Sequence, residues 1–101
     1  MSQFRTIRRV TVYADASLEK ILLERFLHLG ATGYSIVECR GQGEHEVVVD
    51  PFRGAARVRI EVLCRPEVGE KILDYLSGEN FQRRAVAACM EHVEVASGDK
   101  F

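Results

Sequence analysis

Tryptophan is absent from this chain, and proline occurs only twice. No apolar run approaches the roughly twenty residues that a bilayer-spanning helix needs. Cysteine is scarce as well. Cys39, Cys64 and Cys89 are odd in number and lack any CxxC spacing, which argues against a disulfide framework and a thiolate metal site. Excess charge of one sign is missing too, since the formal net charge is −1. That argues against a nucleic-acid partner held by phosphate neutralisation. The stretch from Met1 to Arg9 is charged and no apolar core follows it, so it does not read as a secretory leader. The expectation is a reduced, cytoplasmic protein with no membrane insertion. Catalytic signatures are also lacking: there is no HExxH, P-loop, GxGxxG or nucleophile elbow, and His28, His45 and His92 are scattered. An enzyme is not expected.

What is present is periodicity. The stretch Ile7 to Tyr13, "IRRVTVY", alternates as a strand does, and Asp15 or Ser17 can then accept hydrogen bonds at a helix start. Leu18, Ile21, Leu22, Phe26 and Leu29 recur at helical steps, and Gly30 stands where a left-handed C-cap belongs. A second strand, "GYSIVECR", puts Tyr34, Ile36 and Glu38 on one face and Ser35, Val37 and Cys39 on the other. In "ARVRIEVLC", Val58, Ile60 and Val62 point one way, and Arg57, Arg59, Glu61 and Leu63 the other. Pro66 opens a second helix with the stripe Val68, Ile72, Leu73 and Leu76, which Gly78 closes. A last strand spans Arg84 to Val95, and residues 96–101 read as a frayed tail.

The order β-α-β-β-α-β over one domain, residues 1–101, predicts a ferredoxin-like α+β fold. Its four-stranded antiparallel sheet carries both helices on one face. The other face mixes Arg57, Arg59 and Glu61 with Leu63, Val37, Ala87 and Cys89, a composition that suits pairing between subunits.

Between strands two and three lies a connection of about fifteen residues, roughly 41–56, where a tight hairpin takes roughly two to five. "RGQG", Arg40 to Gly43, leads into it, and glycines there let backbone amides approach an anion. Within it, Val47 to Val49, Pro51 and Phe52 are apolar residues that suit either a switch segment ordered by a ligand or a local hairpin extension whose valines pair as strands. His45, in "EHE", is the candidate for a divalent cation. Elsewhere "GENFQRRAV" brings Arg83 and Arg84 to the mouth of the last strand, where guanidinium groups would suit phosphate oxygens.

These motifs resemble a known family. "GATGYSIVECRGQG" is similar to the G-x-T-G-x-S/T-V/I-x-E-x-K/R-G-x-G pattern of PII signalling proteins, found where their second strand runs into the T-loop. "RVRIEVL" resembles the strand that returns from that loop, and "RRAVA" stands at the glycine–lysine–strand segment. The resemblance implies a homotrimer with nucleotide sites between subunits and a T-loop that contacts a protein partner according to the nucleotide bound. By that resemblance Ser35 and Leu63 touch adenine, Gly41 and Gly43 hold the loop foot, and Arg84 replaces the phosphate-binding lysine. Gln42, Gln82, Arg83 and Arg40 are expected neighbours.

Departures from the family pattern narrow the group. The loop has no tyrosine to modify, Phe81, Gln82 and Arg83 replace phosphate-loop glycines, and His45 replaces a glutamine used with magnesium and 2-oxoglutarate. What remains resembles the carboxysome-associated PII-like proteins and the SbtB bicarbonate-transporter regulators, in "GAxGY" before the second strand, "GxG" at its end and a Cys in the last strand. By that resemblance the ligands would be AMP or ADP, with no covalent cofactor. Bicarbonate is a further candidate ligand, for which Arg40, Arg53 or Arg57 would supply the charge. The alternative is a metal-responsive trimer of the CutA or heavy-metal PII-like kind, using His45 or His92. A small enzyme of the dimeric α+β-barrel class would need convergent acid–base residues, which the sequence does not display.

Overall fold

A computed structural model of the chain describes residues 4–41, 55–78, 81, 86–96 and 100–101. The elements are β1 (Arg5–Asp15), α1 (Glu19–His28), β2 (Ser35–Gly41), β3 (Ala55–Cys64), α2 (Pro66–Leu76) and β4 (Ala87–Val95). They form one antiparallel sheet in the order β2-β3-β1-β4, the ferredoxin-like α+β layout. Strand β1 runs longer than its alternating pattern suggested, because it is paired on both sides. Arg5 to Tyr13 face β4 and Arg8 to Asp15 face β3, so ladder hydrogen bonds carry it past the apolar residues.

The turn into α1 follows from one carboxylate. Asp15 Oδ1 accepts a hydrogen bond from the Ser17 amide at 2.8 Å, starting a 3₁₀ turn over Ala16–Leu18. That bond, with Arg57 nearby, holds the Asp15 carboxyl below the usual range. Helix α1 buries Leu22 and Phe26. Ile21, expected in the same stripe, is instead 56% exposed, because each residue turns the helix by roughly 100° and Leu22 already points at the sheet.

Gly30 ends the helix region at φ +114°, and a Cβ there would meet Val68 at 3.2 Å. Gly30→Ala is expected to destabilise the fold by about 1–2 kcal/mol, measured by urea denaturation. An unchanged midpoint would mean that the chain leaves α1 by another route.

Sheet parity assigns the faces. Val10, Val12, Val58, Ile60 and Val62 join Leu22, Phe26 and Ile72 in one core under the helices. Strand β4 begins at Ala87, later than expected; Val86 precedes it and packs against the core, while Arg84 lies outside the described residues. The opposite face carries cross-strand rows, among them Ser35–Glu61–Thr11–Cys89 and Val37–Arg59–Tyr13–Ala87. Val37 is 46% exposed. Charges on this face are paired within the chain: Arg9 Nη2 to Glu91 Oε1 at 3.0 Å, and Arg59 Nε to Glu61 Oε2 at 3.6 Å.

The three cysteines, all read as strand residues, differ in burial. Only Cys64 is buried, whereas Cys39 is half-buried and Cys89 exposed, both on the outer strands and on the face without helices. Burial pushes the Cys64 thiol up, with Glu67 adding to the effect, so it stays protonated and unreactive.

Candidate functional site

The β2–β3 hairpin positions the residues that the sequence nominated. β2 is an edge strand, and a hollow lies near each of its ends.

At the start of β2, Ser35 and Leu63 line one hollow of about 470 Å³ together with Glu61, Arg9, Lys100 and Phe101. The pairing explains the meeting. Ser35 stands opposite Glu61, and Leu63 is two residues further along the same face of β3, opposite Arg9. Glu91 accepts two hydrogen bonds from Arg9, at 3.2 Å from Nε and 3.0 Å from Nη2, and stabilises its charge. Leu63 and Phe101 therefore supply apolar surface beside Ser35 and two charged groups whose partners lie within the sheet.

At the end of β2, Arg40 and Arg57 line a second hollow of about 460 Å³ with Glu38, Cys39 and Glu19. Arg57 is only 7% exposed, although it lies on the helix-free face. Its Cδ would be 3.5 Å from a Cβ built on Gly41, so the arginine stem runs along the point where β2 leaves the sheet.

The nominated residues thus fall into two groups. Ser35 is joined to Leu63, and Arg40 to Arg57 and Gly41. The groups are separated by the length of β2, about 17–20 Å at the usual strand rise, so one chain does not bring them together. Gln42, Gly43, His45, Arg53, Gln82, Arg83 and Arg84 lie outside the described residues, as does most of the loop read as a switch. Phe81, two residues before Arg83 in sequence, is buried edge-on against Tyr75, with ring centroids 5.0 Å apart.

Several lining residues went unnominated. Glu61 shares the face of Leu63, and the two-residue strand period alone would have found it. Arg9 is found only from the β1–β3 register. Lys100 and Phe101 belong to the tail read as frayed, both line the first cleft, and Arg65 Nε donates to the Phe101 main-chain oxygen at 2.8 Å. That hydrogen bond is invisible in the sequence.

His92 sits opposite Arg8 on β4 and is exposed. Among the described residues, no group of three His, Cys, Asp or Glu side chains is placed to hold a metal ion. No described helix is long and apolar enough to cross a membrane.

Comparison with known proteins agrees with this architecture. No protein of curated function matches the sequence. A PII-like signalling protein of Thermus thermophilus, of known structure, is 36% identical, with 97% of each chain covered and a TM-score of 0.80. The CPII protein of Thiomonas intermedia, solved with ADP, AMP and acetate, is 16% identical and superposes with a TM-score of 0.83 over 97% of this chain and 96% of that one. A second structure of that protein, bound to ADP and bicarbonate, is also 16% identical, with a TM-score of 0.82 and the same coverage. The family model for nitrogen regulatory protein P-II matches residues 7–100. Together with the four-stranded sheet and its long β2–β3 connection, that match places the chain in the P-II family.

Proposed function

We propose that this protein is a non-catalytic regulator that binds an adenine nucleotide, AMP or ADP, in clefts between the subunits of a homotrimer. The separation of the two groups of nominated residues carries this conclusion. Ser35 and Leu63 lie at one end of β2, and Arg40, Arg57 and Gly41 at the other. A single adenylate that touches an apolar slot and a glycine-lined loop foot must bridge two chains. One chain then offers the Ser35–Leu63 cleft, and its neighbour offers Gly41, Gln42 and Gly43 with Gln82, Arg83 and Arg84. The mixed, partly apolar sheet face, with Val37 and Tyr13 exposed, supplies a surface on which subunits would pack.

The loop beyond Gly41 is the output element: nucleotide at its foot orders it, and the ordered form meets a protein partner. Bicarbonate is the proposed second ligand, held by Arg40 and Arg57 with Arg53, which would place the regulator in inorganic-carbon handling, in the cytoplasm. The ADP- and bicarbonate-bound relative from Thiomonas intermedia supports both ligands.

Calorimetric titration with ADP, combined with light scattering, tests the proposal. One ADP per chain on a particle of three chains is expected. A monomer, or a trimer that takes up no adenine nucleotide, would reject it.

A further inference from the structure

The Lys100–Phe101 segment separates two hollows. One is the cleft of Ser35 and Leu63. The other, about 390 Å³, is lined by Gly30, Cys64, Arg65 and Val68, and shares Thr32, Lys100 and Phe101 with the first. Without these two residues in place, the hollows would merge into one open groove, and Leu63 would lose its aromatic companion. The segment is fastened by a hydrogen bond from Arg65 Nε to the Phe101 main-chain oxygen, at 2.8 Å. Arg65 is well placed to hold it. It occupies the single residue between β3 and α2, the N-cap position of α2, with extended backbone at φ −67° and ψ 155°.

We propose that Arg65 is a positioning residue for the Ser35–Leu63 cleft, holding Lys100 and Phe101 as its wall so that Phe101 and Leu63 together offer an apolar slot to a flat base. This rests on the conclusion that the cleft takes the adenine of a nucleotide. An aromatic ring stacks on any base face, but only while it is held in place. The affinity measured then scales with the fraction of molecules whose segment is docked. A solvent-exposed hydrogen bond to a charged donor shifts such a fraction by about fivefold.

Tryptophan is absent from the chain, so Phe101→Trp introduces a single indole that reports docking without any nucleotide. With Arg65 intact, its emission is expected to be blue-shifted and its anisotropy high. In Phe101→Trp/Arg65→Ala the emission should move to that of a water-exposed indole while the protein still unfolds in one cooperative urea transition, because Arg65 is exposed and stands outside the core cluster. Arg65→Lys, which keeps a donor, should recover part of the blue shift. Calorimetry on the variants without the indole should show ADP binding about fivefold weaker in Arg65→Ala and intermediate in Arg65→Lys.

Unchanged emission in the Arg65→Ala background would overturn the latch. Released emission with unaltered ADP affinity would overturn its role in binding. A parent protein that binds no ADP, while the indole still responds to Arg65→Ala, would overturn the nucleotide assignment of the cleft and leave the latch supported.

Discussion

Replacing Phe26 with alanine is expected to lower the folding free energy by about 3–5 kcal/mol. The ring is 1% exposed and sits under α1 in the same cluster as Val12, Ile60 and Ile72. A sheet beneath a helix cannot collapse to refill the volume of a phenyl group, so the lost transfer energy and the cavity add. Against a domain stability of roughly 5–15 kcal/mol, that is a large fraction of the whole. Ile21→Ala on the same helix is the matching control, because Ile21 is mostly in water; its effect should be within about 0.5 kcal/mol. Both are read from urea midpoints at one fixed protein concentration, since subunit association adds to apparent stability. Equal losses for the two would show that α1 is not seated on the sheet as described.

Arg84→Ala is expected to weaken ADP binding by about 1–3 kcal/mol, the scale of a lost charged hydrogen bond, or roughly five- to 150-fold in Kd. The proposed site gives Arg84 the part of a phosphate-binding residue, since a guanidinium can grip two phosphate oxygens at once. The comparison ligand is adenosine, which has no phosphate and should bind parent and variant alike. Calorimetry with both ligands separates a phosphate contact from damage to the cleft. Equal ADP affinity in parent and variant would remove Arg84 from the site, and equal losses for ADP and adenosine would assign it a structural part instead.

How much of this was legible beforehand varies by residue. The faces of β3 could be read directly, since Val58, Ile60 and Val62 alternate with Arg57, Arg59, Glu61 and Leu63, and a strand reverses its side chains at every step. Gly30 was equally plain as a helix terminus, because the position demands a φ that side chains resist. Ile21 was misassigned because apolar spacing alone marks a stripe wider than the one that meets the sheet. The fate of the cysteines was hidden for a related reason: Cys39 and Cys89 lie on strands β2 and β4, and nothing local says that these are the outer two.

Local periodicity determined the element order, the ferredoxin-like layout and which side of each strand is apolar, because strand alternation and helical spacing are properties of neighbouring residues. The specific glycine-bearing motif at the exit of β2 pointed to the family on its own. Tertiary structure decided the rest. Register across β1 and β3 put Arg9 beside Leu63, the length of β2 set the Ser35 cleft apart from the Arg40 cleft, and a hydrogen bond across 36 residues brought Phe101 to Arg65. Those are relations between segments remote in sequence, whose partners are chosen by the competition among all possible packings, and no local pattern encodes that choice.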